Sequence, residues 1–377
     1  MKLLHTADWH LGKTLKGTPL IDDQRHILNQ ILDIAKDVDA VIIAGDVYDR
    51  AVPPVDAVNL FDETLNRLAE RNLPTLIIAG NHDSASRLNF GSKFFARQGI
   101  HIVARIADEP AQVVLEDAFG EVYFSLIPYL EPADIRDAFK DEIFERLTFN
   151  DANKFYVDLA RQRIPAGKRS VAVAHVFLTG GVESDSERKF VGGAENVDAQ
   201  IFSGYNYVAL GHLHRPQKMS AENIRYAGSP LKYSFDEAGH KKSVTLVDID
   251  AAGNVTTKTI PLEPLHDVII VEGQFNELIN RPPVDDYAQI ILTDDVYVYE
   301  TERLRDAFPN FLEVKRKDHL QSYDDAPTRS FRKEDSVSKQ FANFFEDVMQ
   351  EPLTDDERAA FEEFLHELSR EEREAIS

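Results

Sequence analysis

Short apolar runs recur through the first 215 residues, and each ends abruptly in polar side chains. Leu3-Leu4-His5-Thr6-Ala7 runs into Asp8-Trp9-His10, and Val41-Ile42-Ile43-Ala44 into Gly45-Asp46-Val47-Tyr48-Asp49. Leu76-Ile77-Ile78 runs into Ala79-Gly80-Asn81-His82-Asp83, Val171-Ala172-Val173-Ala174 into His175, and Val208-Ala209-Leu210 into Gly211-His212-Leu213-His214. Apolar runs of this length, bounded by turn residues, read as buried strands. Between them, Ile27, Ile31, Ile34 and Ala35 recur at helical spacing over 22–37. Pro53-Pro54 then opens a helix whose face is Val58, Phe61, Leu65 and Leu68. The β-α-β-α-β alternation with short connections predicts an α/β fold, a parallel sheet with helices on both faces. Ligands of such sheets bind beyond the carboxyl ends of the strands, where all five polar clusters fall.

Further along, the pattern predicts a helix over 88–98, strands between 100 and 130 and a helical stretch near 133–163. A polar loop at 179–198, between Gly180-Gly181 and Gly192-Gly193, holds Ser184, Asp185, Arg188 and Lys189; loops that long are often functional. Ile224–Tyr226 and 243–248 read as antiparallel strands. Pro261 and Pro264 mark a boundary, so 1–265 reads as one domain and 266–320 as a small α+β unit. In that unit, strands at 268–272, 288–293 and 312–316 alternate with helical stretches at 275–280 and 300–307. Residues 321–333 read as a linker and 334–377 as a helical hairpin. Its helices, at about 335–349 and 355–374, are split by Pro352, and Thr354-Asp355-Asp356-Glu357 reads as a capping box.

Composition narrows the chemistry. The chain has 377 residues, 43% hydrophobic and 28% charged, as ordinary globular proteins do. No run of 18 apolar residues occurs, which argues against a membrane span. The first residues show neither a basic region nor an apolar leader, so a cytoplasmic location is expected. With no cysteine, thiolate metal sites and disulfides are excluded. Net charge is −23, of which residues 351–377, with ten acidic and three basic side chains, supply −7. Overall charge therefore gives no help to nucleic-acid binding, and any such contact rests on local basic groups, bound metal or a partner.

One histidine at a strand end is more often a hydrogen-bonded structural residue than a ligand. Seven donors at five strand ends (Asp8, His10, Asp46, Asn81, His175, His212 and His214) have little reason to converge without a cation. They exceed what one tetrahedral zinc takes, about four ligands, and suit two metals about 3.5–4 Å apart with one shared carboxylate. Asp46, central in chain order, is the natural bridge. The chemistry that follows is phosphoester hydrolysis by metal-activated water. His82 is expected to protonate the leaving oxygen, with the Asp49 carboxylate orienting its ring. The alternatives are a further ligand for His82 and a solvated surface carboxylate for Asp49.

Asp8-x-His10, Gly45-Asp46-x-x-Asp49, Gly80-Asn81-His82-Asp83, His175 and Gly211-His212-x-His214 resemble the five motifs of the calcineurin-like metallophosphoesterases. The wording from His5 to Gly12 and from Ala209 to Arg215, with Tyr226-Ala227-Gly228-Ser229-Pro230 and Ser234-Phe235-Asp236-Glu237, resembles more narrowly the SbcD family of bacterial nuclease subunits. That family is related to the meiotic recombination nucleases. The resemblance spans essentially the whole chain. It implies a β-sandwich covered by helices, a small capping domain that positions DNA, and a helical tail. By motif, it assigns Asp8, His10 and His214 to one metal and Asn81, His175 and His212 to the other. Asp46 is then the bridge and His82 the general acid. It implies two divalent ions, usually manganese, with magnesium as an alternative. It also implies a homodimer within a heterotetramer with an SMC-like coiled-coil ATPase (SbcC). The expected activities are ATP-dependent exonuclease action on double-stranded ends and endonuclease action on single strands and hairpins, in DNA repair, recombination and replication. The relatives in archaea and eukaryotes tend to carry histidine where this chain has Asp49.

The apolar faces of the terminal helices (Phe341, Phe344, Phe345, Val348; Phe361, Phe364, Leu365, Leu368) fit either a self-packed hairpin or a seat for the partner's coiled coil. The helix at 55–71 is the dimer candidate by resemblance. Lys315-Arg316-Lys317, Arg329, Arg332 and Lys333 fit either phosphate contacts or a solvated face, and Trp9 either a core role or a DNA-facing one. Two other functions share the metal motifs: a small-molecule or cyclic-nucleotide phosphodiesterase, and an end-bridging scaffold with a decayed site.

Overall fold

The computed structural model describes residues 1–140, 146–187, 195–294 and 298–317, with isolated positions at 341, 345, 354, 358 and 361. Met1–Lys317 forms one compact unit and Asp318–Ser377 a second.

In the first unit the ligand-bearing strands divide between two sheets rather than sharing one. The first sheet has the order Val255–Pro261, Ser243–Ile249, Lys2–Thr6, Ala40–Ala44, Thr75–Ile78, Ile100–Val103. Its last four strands are parallel, and Ser243–Ile249 runs against Lys2–Thr6. The second sheet has the order Gln217–Lys218, Ile224–Tyr226, Tyr207–Gly211, Arg169–His175, Gly120–Ile127, Ala111–Asp117. Ile224–Tyr226 is parallel to Tyr207–Gly211 and antiparallel only to the short edge strand Gln217–Lys218.

The two sheets face each other. Leu3, Ile42, Ala44, Leu76 and Ile78 of the first pack with Phe124, Val171, Val173, Tyr207 and Ala209 of the second, all buried. Helices Ile21–Ile34 and Val55–Glu70 cover the outer face of the first sheet and Phe149–Gln162 that of the second. Each sheet thus carries helices on one face only, because its other face is spent on its partner sheet. This explains why Ala40–Ala44 and Tyr207–Gly211 are buried on both faces and read as unbroken apolar runs.

Local signals explain the helix ends. Thr148 and Asp151 form a capping box that starts Phe149–Gln162. The stretch near 133–163 is interrupted where Pro132–Phe139 ends on Lys140, with φ of 53°. The helix expected over 88–98 is broken into Ala85–Leu88 and Ser92–Phe95 by Gly91, with φ of 74°. On Val55–Glu70, Phe61, Leu65 and Leu68 face the core, whereas Val58 is turned out beside exposed Val55.

The small unit after the boundary holds three parallel strands, Val268–Gly273, Tyr287–Leu292 and Phe311–Arg316. Its expected second helix, Val298–Asp306, is wound as 3-10. It is tied to the first helix through Asp23, which accepts hydrogen bonds from His266 N (3.0 Å) and Tyr287 Oη (2.9 Å). Lys315 lies 3.5 Å from Glu313, and Lys317 donates to Glu272 at 2.6 Å, so part of the basic cluster is already paired.

In the second unit the Phe341 and Phe361 rings stack with centroids 3.7 Å apart. Arg358 N donates to the Thr354 carbonyl at 3.0 Å, a helical backbone bond, while residues 355–357 of the expected capping box lie outside the described residues. The linker 321–333 with Arg329, Arg332 and Lys333, the remaining hairpin side chains (Phe344, Val348, Phe364, Leu365, Leu368), and Arg188 and Lys189 lie outside the described residues.

Candidate metal centre

The strand registers bring the five polar clusters to one edge of the sandwich. Thr6 pairs with Ile43 and Ala44 with Ile78 in the first sheet, and Gly211 with His175 in the second. Asp8, His10 and Asp46 then leave the strands with φ of 53°, 44° and 48°, left-handed values that turn the chain back over the strand ends. Two glycines allow the sheets to approach here. A Cβ on Gly45, at φ of 92°, would lie 2.2 Å from His175 Nδ1, and one on Gly211 would lie 1.8 Å from the Ala44 oxygen.

All nine predicted side chains meet at this edge. Asp8 Oδ1 accepts from His212 N at 2.8 Å and lies 3.9 Å from His175 Nδ1. Asp46 Oδ2 lies 3.3 Å from His175 Nε2 and 3.6 Å from His10 Nε2, and Asp46 Oδ1 accepts from His82 N at 2.9 Å. Asn81 Oδ1 is 3.0 Å from His175 Nε2 and 3.1 Å from His212 Nδ1. His10 Nε2 and His214 Nε2 face each other at 3.0 Å.

Asp49 reaches His82 differently from the expectation. Its carbonyl oxygen, not its carboxylate, contacts His82 Nδ1 at 2.8 Å. The carboxylate accepts from Lys13 Nζ at 2.8 Å and lies 3.6 Å from His10 Nδ1. The Lys13 ammonium, within direct reach, holds the carboxylate by a charge-assisted hydrogen bond. Trp9 is a core residue: it is buried, its indole donates to Thr6 Oγ1 at 3.0 Å, and its ring meets Phe61 edge-on.

The donor set fits divalent cations. Burial pushes His10 and His214 down and His212 to about 3, so these rings are neutral and present lone pairs. Neutral His10 and His214, Nε2 to Nε2 at 3.0 Å, can share one hydrogen between them or turn both lone pairs to a cation. The buried atoms Asp8 Oδ2, His10 Nδ1 and Asn81 Nδ2 have no hydrogen-bond partner, and a buried carboxylate oxygen is costly in that state. Burial pushes Asp8 up, while His175 and then His10 hold Asp46 down against the same burial. Burial opposes a proton on His175, but Asp46 raises it to about 9, so a proton and a metal ion compete for the same nitrogen.

Two compact donor groups stand out among the described residues: His10, Asp46 and His82, and Asp8, Asp46 and His175. They do not coincide with the division implied by motif, which pairs Asp8 with His10. Asp46 is common to both groups.

Several supporting residues were not read from the sequence. Asp83 accepts from the backbone N–H groups of Val47, Tyr48 and Gly80, stapling two ligand loops together. Burial and then the Asp46 charge push it up to about 7. Gln24 donates to the His10 carbonyl at 2.7 Å and accepts from Gly12 N at 2.9 Å. Tyr233 Oη donates to the Trp9 carbonyl. Behind His214 stand Ser186, Glu187, Glu237 and Lys242, all but Ser186 buried. The run Ser234-Phe235-Asp236-Glu237 pointed there, without a role.

A family model for calcineurin-like phosphoesterases matches residues 1–216. The SbcD subunit of the SbcCD nuclease from Staphylococcus epidermidis is 32% identical over 336 residues, covering 86% of this chain and 88% of that protein. Its counterpart in Staphylococcus saprophyticus is 36% identical over 285 residues, 74% of each chain. Among solved structures, a dimetal phosphatase from Danio rerio aligns with 70% of this chain and 98% of its own, at 10% identity and a TM-score of 0.42, too slight a likeness to bear on the site.

Proposed function

This chain belongs to the calcineurin-like phosphoesterase family, as a homologue of the SbcD subunit of the SbcCD nuclease, and on that premise we propose that it cleaves DNA phosphodiesters at a two-metal centre. It is a metallophosphoesterase of the nuclease type. The finer assignment gives Asp8, His10 and His214 to one ion and Asn81, His175 and His212 to the other, with Asp46 between them. The observation that carries this reading is the position of the Asp46 Oδ2 atom, 3.6 Å from His10 Nε2 and 3.3 Å from His175 Nε2.

Bound divalent ions, manganese before magnesium for an oxygen- and imidazole-rich set, would supply Lewis acidity and a nucleophilic hydroxide at neutral pH. The protein supplies the rest. His175 is fixed by the Ala44 carbonyl, 2.9 Å from Nδ1. His82, only partly buried, is open to substrate, and the Asp49 carbonyl at Nδ1 orients its ring, leaving Nε2 to face a leaving oxygen as the general acid. Lys13, 5.6 Å above the Tyr233 ring and next to the centre, is placed to meet a phosphate.

The partner assignment follows the relatives' name: an SbcC-type ATPase, engaged by the terminal hairpin. Self-association through Val55–Glu70 draws support from exposed Val52, Val55 and Val58. The division into a nuclease domain to residue 265, a DNA-positioning unit over 266–320 and a docking hairpin over 334–377 belongs to the same proposal. No helix among the described residues is long and apolar enough to cross a membrane.

The test is cleavage of a DNA hairpin with manganese, beside turnover of cyclic nucleotides. Hairpin cleavage that disappears in Asp46→Ala supports the proposal. Turnover of free nucleotides with none on DNA would replace it with a small-molecule phosphodiesterase.

A further inference from the structure

His214 is the most elaborately held of the candidate ligands. Its ring nitrogen Nδ1 lies 2.6 Å from Ser186 Oγ and 3.2 Å from Glu237 Oε1. Ser186 also donates to Glu237 Oε1. A hydroxyl has one proton, and a carboxylate can only accept. With the serine proton committed to Glu237, Ser186 Oγ must accept from His214, so Nδ1 carries the hydrogen. That leaves the lone pair on Nε2, the nitrogen facing His10 at 3.0 Å. The backbone of His214 is gripped as well: its N–H donates to Glu187 Oε1 at 2.5 Å, and its carbonyl accepts from Lys242 Nζ at 2.9 Å. Lys242 Nζ in turn pairs with Glu237 Oε2 and donates to Ser229 Oγ at 2.7 Å. Glu237 is wholly buried and Lys242 nearly so.

An isolated buried ion pair is weak support for a fold, since desolvation offsets most of its attraction. Here the carboxylate has a second use. We propose that Glu237 is a positioning residue for metal binding: with Ser186 it locks His214 in the Nδ1–H tautomer and aims Nε2 into the centre, while Lys242 holds the carboxylate in place. The proposal rests on the two-metal reading. Loss of such a partner typically costs about 10–100-fold in metal affinity.

The experiment measures manganese binding to the whole chain, by the electron paramagnetic resonance of free Mn2+, for wild type and three variants. Glu237→Gln removes the charge and turns one of the two acceptor oxygens into an amide donor, so the side chain is no longer an acceptor only. Glu237→Gln with Lys242→Met removes the cation that the first variant would strand. Ser186→Ala leaves the ion pair intact. The expected result is that both Glu237 variants lose about 10–100-fold in affinity at one of two sites, while the other site is unchanged. Ser186→Ala shifts the same site in the same direction by less. DNA cleavage by the Glu237 variants should return to the wild-type plateau at high manganese. Wild-type affinity at both sites in the double variant and in Ser186→Ala, whatever the melting temperatures, overturns the proposal and leaves a structural ion pair. If wild type itself binds no manganese, the two-metal reading fails instead.

Discussion

Two histidines of the same centre are held in opposite ways. His175 sits at the end of its strand and is fixed by a main-chain group, the Ala44 carbonyl of the facing sheet, across a gap that Gly45 and Gly211 keep open. His214 lies beyond its strand and is fixed by side chains, Glu237 and Ser186, with Lys242 behind them. The first arrangement comes with the sheets: once they pack, the carbonyl is where it must be. The second is built from separate segments and tolerates change only if its charges still balance. One half of the centre is therefore sensitive to added volume, the other to altered charge.

Asp46→Asn should erase the distinction, because Asp46 contacts both halves. It is expected to cost more than the about 10–100-fold that a supporting partner is worth, weakening both manganese sites together in a titration. His82→Ala should separate binding from chemistry. Loss of a general acid lowers kcat by about 10²–10⁴-fold, and equilibrium manganese binding should stay near wild type. Gly45→Ala tests the volume-sensitive half. The added methyl meets His175 Nδ1 and lies at a positive φ, so a stability loss of about 1–3 kcal/mol is expected, read as a lower denaturation midpoint. The manganese site that depends on His175 should weaken more than the other.

The far end of the sandwich supplies a control. There Asp117 bonds Arg169 and the N-terminal ammonium, and those partners hold its carboxyl well below the usual carboxylate range. A depressed folded-state pKa contributes stability that is present above about pH 4, the unfolded value, and is lost as pH falls below it. Asp117→Asn should therefore lower stability at pH 7 by about 1 kcal/mol. It should also flatten the acid side of the stability curve, with both manganese affinities unchanged.

The strand ends were legible because their signal is local. An apolar run that stops in Asp-x-His or Gly-Asn-His announces both a buried strand and an exposed site at its tip, and all nine residues so marked do meet. The division of those strands between two sheets was not legible from periodicity. A strand buried between two sheets and one buried between a sheet and helices are apolar on both faces alike. Nor was the partner of His82, because any residue offers a carbonyl and only the turn at Asp49 aims this one.

By itself, then, the sequence determined which residues are of metal-donor type and that they stand at strand ends, since both follow from residue type and short-range pattern. Only the tertiary structure decided what stands behind each of them. Glu237 comes within reach of His214, and Asp83 within reach of Val47 and Tyr48, because packing closes loops of tens of residues. The free energy that selects those contacts is the burial of both sheets' apolar faces, a property of the whole assembly that no single stretch of chain records.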